Sequence, residues 1–68
     1  MTRKDYQAVA AAILAERAAV EARECDSTKL DLQWQATAMV AHRLAVVFAA
    51  DNPRFDRVKF LHACGVEA

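Results

Sequence analysis

The chain reads as an all-α protein: an antiparallel helical hairpin with a short C-terminal third helix, self-associated as a dimer. Three observations predict this. One glycine and one proline in 68 residues leave few interior breaks, and sixteen alanines favour helix over strand. Apolar residues also recur at three- and four-residue spacing through two long runs. Helices are expected over about 3–24, 29–50 and 57–64, in a single small domain.

Thr2 followed three residues later by Asp5 resembles a capping box, which starts the first helix at Arg3. Tyr6, Val9, Ile13 and Val20 form its apolar stripe, widened by Ala10 and Leu14. Arg17 and Glu21 are four apart and positioned to pair. The helix fades at Cys25-Asp26-Ser27, where Asp26, Ser27 and Thr28 are all good caps for the next one. The capping spacing of Thr28 and Asp31 favours a start at Lys29. Leu30, Trp34, Thr37, Ala41, Leu44 and Phe48 make the second stripe, with Val40 and Val47 flanking it. Leu44 to Ala50 is apolar on every face, so the third helix or another subunit must cover what the hairpin leaves.

The last sixteen residues before the tail carry the densest local signals. Asn52 precedes Pro53 and is pushed out of the α region, which stops the second helix. Asp56 caps the third, with Phe55 and Phe60 placed as a hydrophobic staple. Gly65 suits the left-handed close of that helix, with Leu61 against Val66. Folded back, Phe55, Phe60 and Leu61 are expected to meet Tyr6, Val47 and Phe48.

The totals exclude several classes. A chain of 68 residues is near the lower limit for folding alone. Sixteen of the residues behind its 56% hydrophobic content are alanine, which buries little area, so self-association is expected on core size. Nine basic and nine acidic residues cancel, which argues against a protein living by non-specific phosphate binding. No stretch approaches the twenty apolar residues that span a bilayer, and Glu16-Arg17 interrupts anything like a signal peptide. Cys25 and Cys64 fall at opposite ends of the hairpin, roughly 30 Å apart, so reduced thiols in a cytoplasmic protein are expected.

Met1-Thr2-Arg3-Lys4-Asp5-Tyr6, Asp51-Asn52-Pro53-Arg54-Phe55-Asp56-Arg57 and Phe60-Leu61-His62-Ala63-Cys64-Gly65 resemble a group of short phage-encoded proteins also found in prophages. The resemblance covers the two ends, about a third of the chain. It implies a phage context, the host cytoplasm and a small accessory role, and it transfers no site residues.

No catalytic set is legible. Ser27 is the only serine and sits where a cap is needed, His42 has no carboxylate one turn away, and no glycine-rich phosphate loop occurs. His62 and Cys64 are two apart and face different ways on a helix, so no metal site and no cofactor is expected. Trp34 reads as core by its stripe position, with an interface anchor as the other reading.

Charge separates along the bundle instead. Arg3, Lys4, Arg54, Arg57 and Lys59 gather at one end, and Glu16, Glu21, Glu24, Asp26 and Asp31 at the other. Solvation is the ordinary explanation of both. The functional reading is non-enzymatic binding of a host protein, as an inhibitor of a host defence system such as an anti-CRISPR. The candidate contact residues are the acidic set Glu16, Glu21 and Glu24, then the basic set Arg54, Arg57 and Lys59. The alternative is a small dimeric nucleic-acid-binding or regulatory protein using the basic end. A structural virion component is a third reading.

Overall fold

The structure, a computed structural model, describes residues 2–67. It is all-helical: α1 (Arg3–Arg23), α2 (Ser27–Asp51) and α3 (Arg57–Ala63) follow in order, with no strand among the described residues.

Local chemistry sets each helix end. The Thr2 hydroxyl accepts from the Asp5 N–H at 3.4 Å, and the Asp5 carboxylate accepts from the Thr2 N–H at 2.8 Å. This is a capping box with aspartate in place of glutamate. α2 starts two residues before the expected Lys29, because Asp26 and not Thr28 caps it. One Asp26 oxygen accepts from the N–H of Thr28 at 2.9 Å and of Lys29 at 3.1 Å. A carboxylate that satisfies two orphan amides also places its charge at the positive end of the helix, which a hydroxyl does not.

Asn52 is extended at φ −138° and ψ 108°, and α2 stops there. Its side chain accepts from the Arg54 N–H at 3.0 Å and its carbonyl from the Phe55 N–H at 3.0 Å, which turns the chain back. Asp56 then caps α3 by accepting from the Lys59 N–H at 3.0 Å. At the far end Gly65 has φ +79°. The Val66 N–H donates to the Leu61 carbonyl at 2.8 Å and the Gly65 N–H to the His62 carbonyl at 3.0 Å. Those are both bonds of a Schellman close, and Leu61 and Val66 are buried as its apolar contact requires.

The helices meet through few large side chains. Tyr6 near the start of α1 packs on Phe48 near the end of α2, with ring centroids 5.0 Å apart. At the other end of both helices the Gln33 amide donates to Glu24 at 3.1 Å. Between these, the Arg17 guanidinium lies over the Trp34 ring at 5.0 Å and donates to the Gly65 carbonyl at 3.1 Å. The α3 segment therefore begins beside Tyr6 and closes beside the middle of α1. Of the buried residues only Val20 lies outside the half that α3 covers. Buried Phe48, Phe60 and Leu61 contribute about 1.5–3 kcal/mol each.

Two sequence expectations fail here for one reason. Val40 and Val47 do not flank the buried stripe but are more than half exposed, and Val47 is not covered by the folded-back aromatic residues. Ala41 of the expected stripe is fully buried, and it is Ala45, also fully buried, and Ala38 that flank it. Small side chains admit close approach, so α1 and α3 both settle on the alanine side of α2 and leave the valine side bare. Leu14, expected to widen the α1 stripe, is likewise 46% exposed.

Gly65→Ala is expected to cost about 1–2 kcal/mol in urea unfolding, because an L-residue is strained at that positive φ. The added Cβ would stand 2.8 Å from Leu14 Cδ1, a flexible tip that moves aside more cheaply than backbone. An unchanged midpoint would mean that the left-handed close does not hold the C-terminal segment. A second expectation concerns pH. The Thr2 N–H bonded to Asp5 holds its carboxyl below the ordinary carboxylate value. Its capping contribution is thus complete above the unfolded pKa and is lost as pH falls through the lower folded one. Amide protection in the first turn of α1 should drop below about pH 4, and Asp5→Asn should remove that pH dependence.

Candidate binding site at the basic end

The N–H groups and rings that close the α2–α3 turn also shape a cleft. Pro53 and Asn52 turn the chain so that Phe55 reaches back onto Tyr6 with centroids 4.7 Å apart. The α3 start places Phe60 edge-on to Phe48 at 5.5 Å and 87°. Tyr6, Phe55 and Phe60 form one apolar wall of a cleft of about 270 Å³. Arg3 from the first turn of α1, Arg54 from the turn and Lys59 from α3 stand around it.

Two members of the sequence-predicted basic set, Arg54 and Lys59, are therefore brought together, while Arg57 does not line the cleft. Two ion pairs form among the described residues, and neither uses Arg3, Arg54 or Lys59. Asp56 is the carboxylate at the cleft, and one of its oxygens is engaged by the Lys59 N–H. The local balance is positive beside an apolar wall. That combination suits a group carrying negative charge next to a bulky apolar moiety.

The acidic set has a different environment. Glu16 pairs with Arg23 at 2.9 Å and Glu21 with Arg17 at 3.3 Å. Glu24 accepts from the Gln33 amide at 3.1 Å and from the Asp26 N–H at 3.1 Å. Each candidate acid is thus occupied within the chain, and Glu24 closes the loop between α1 and α2. The i, i+4 pairing of Arg17 with Glu21 is as the spacing predicts. At this exposure such pairs contribute only a few tenths of a kcal/mol.

Other singled-out residues fall into place by burial. Trp34 is half-buried under the Arg17 guanidinium, so it is neither fully core nor free. Cys64 is buried, which pushes its thiol pKa up and leaves it a poor nucleophile at neutral pH. Cys25 is exposed, and both cysteines are free. His62 is exposed on the other side of α3 from Cys64. No three His, Cys, Asp or Glu side chains converge on a metal-sized space among the described residues.

Sequence reasoning gathered Arg3 with Arg54 and Lys59 and set Tyr6 against Phe55 and Phe60, but it did not foresee that these residues line one cleft. One polar atom in the wall is anomalous: the Tyr6 hydroxyl is buried without a hydrogen-bond partner. An unsatisfied buried hydroxyl carries a desolvation cost of about 1–3 kcal/mol. Tyr6→Phe is accordingly expected to raise stability in urea unfolding by about 1 kcal/mol. A loss of that size instead would show that the hydroxyl has a partner in solution.

The chain matches no family model, no curated protein and no solved structure.

Proposed function

We propose that the chain is a non-enzymatic protein-binding module, a small phage accessory protein that engages a host protein in the host cytoplasm. Its most concrete form is an inhibitor of a host defence system, such as an anti-CRISPR. The observation that carries the binding reading is the cleft at the basic end, where Arg3, Arg54 and Lys59 surround the Tyr6, Phe55 and Phe60 wall without internal ion pairs. The partner segment it fits bears carboxylates beside a bulky apolar side chain. The phage setting rests on the likeness of the two ends of the chain to short phage-encoded proteins.

Two architectural readings belong with it. α1 and α2 form an antiparallel hairpin, supported by Tyr6 against Phe48 at one end and Glu24 with Gln33 at the other. The chain self-associates as a dimer, supported by a core in which three of the nine buried residues are alanine. No helix among the described residues is long and apolar enough to cross a membrane.

The same cations beside aromatic rings favour nucleic acid as the second reading, through phosphates and stacked bases. Zero net charge and Asp56 at the cleft weigh against it.

The test is recovery of the tagged chain from host lysate with and without nuclease, beside Arg54→Glu/Lys59→Glu and Glu21→Lys/Glu24→Lys variants. One host protein retained through nuclease, and lost at least tenfold only with the basic-end variant, is the expected result. Loss with the acidic-set variant alone would move the contact to the other end. Material that disappears with nuclease, with binding that falls steeply as salt rises, would establish the nucleic-acid reading instead.

A further inference from the structure

The packing of α1 and α3 on the alanine side leaves the opposite face of α2 uncovered, and that face has a regular pattern. Leu32, Met39 and Val46 recur every seven residues and are 60%, 60% and 55% exposed. Ala36, Arg43 and Ala50 recur at the same interval four residues after each, all exposed. Val40 and Val47 widen the strip on one side. Alternating steps of four and three along one face are the spacing by which one helix packs along another in a supercoil.

We propose that this face is the seam for a second copy of the chain, with the two α2 helices antiparallel about a two-fold axis. It rests on the self-association proposed above and names its surface. Two features of charge select the antiparallel arrangement. Arg43 is the one charged residue in the repeat, and parallel pairing sets it level with its own copy. Antiparallel pairing sets Arg43 level with Met39 of the second copy. The two guanidinium groups then lie apart, and their alkyl stems cover the seam.

The second feature lies at the helix ends. Lys29 and Asp51 are both exposed and sit at opposite ends of α2. They are about 40° apart around the helix at 100° per residue, so they lie on one flank of the strip. Antiparallel pairing brings each Lys29 beside Asp51 of the other copy, twice over. Parallel pairing sets each of these charges level with its own copy on the opposite flank and forms no such ion pair. Opposed helix dipoles favour the same arrangement.

Size agrees with a weak dimer. The 25-residue helix is about 37 Å long and presents a strip about 10 Å wide. Two such strips remove on the order of 1,000 Å² of surface from water, the lower end for a specific interface. The seam lies on the face away from α3, so pairing leaves the basic cleft open to its own ligand.

Sedimentation equilibrium on the full chain tests this. The expected mass is twice the 7.5 kDa of one chain at about 100 μM, falling on dilution. Met39→Glu should give the monomer with the same helical circular dichroism, since the side chain points to solvent. Lys29→Glu should weaken the dimer several-fold, and Lys29→Glu/Asp51→Lys should restore it. These two end positions give a readout even if Met39→Glu loses helix. A wild-type chain monomeric at 200 μM would overturn both the seam and the self-association reading, while leaving binding at the basic cleft standing. A dimer untouched by Met39→Glu would overturn the seam alone. A double variant that fails to restore the dimer would overturn the antiparallel pairing.

Discussion

Tyr6, Phe48, Phe55 and Phe60 come from four places in the chain and meet ring against ring, with centroids 4.7–5.5 Å apart. Each helix and the turn between α2 and α3 contributes one ring. Such tilted and edge-on contacts add about 0.5–1.5 kcal/mol per pair beyond the area they bury. In a core otherwise made of alanines, one leucine, one cysteine and two valines, this cluster fixes where α3 lies. The position of α3 in turn decides what is buried along α2 and shapes the basic cleft. The Tyr6 hydroxyl, left without a partner, is a cost borne by the same contact.

The two charged ends differ in how their side chains are spent. On the acidic side, Glu16, Glu21 and Glu24 hold arginines, an amide and the α1–α2 loop. That half of the bundle lacks a third helix and has one buried residue, so polar contacts take over some of the work of packing. Aromatic burial at the opposite end makes such contacts unnecessary. The cations there remain available to an outside ligand, and this asymmetry places the candidate site at the basic end.

Size imposes the remaining constraint. α1 and the seven-residue α3 cannot surround the 25-residue α2 on all sides. Something apolar on α2 must stay outside, and the alanines, by admitting the closest approach, decide that it is the valine and methionine side. That uncovered side carries the apolar repeat of seven residues, Leu32, Met39 and Val46.

Local signals were legible wherever a residue acts on its immediate neighbours. Thr2 with Asp5, Asn52 before Pro53, Asp56 at the α3 start and Gly65 at its close all behave as their spacing predicts, because caps and turns close within three to five residues. The Arg17–Glu21 pair is of the same kind. The α2 start shifted because three adjacent residues compete for one cap, and only the folded loop favours Asp26. The centre of the buried face of α2 was legible, since Leu30, Trp34, Thr37, Ala41, Leu44 and Phe48 are all buried or partly buried. Its edges were not, because Ala38 and Ala45 on one side and Val40 and Val47 on the other are all apolar. That Glu16 and Glu24 are occupied was hidden, because Glu16 pairs with Arg23 seven residues on and Glu24 finds Gln33 across the loop. The sequence by itself determined the three helices and every end but the start of α2, through interactions that need no tertiary contact. Only the tertiary structure decided the edges of the buried face, the cleft and the apolar side chains left uncovered, because these depend on how closely side chains distant in sequence can approach.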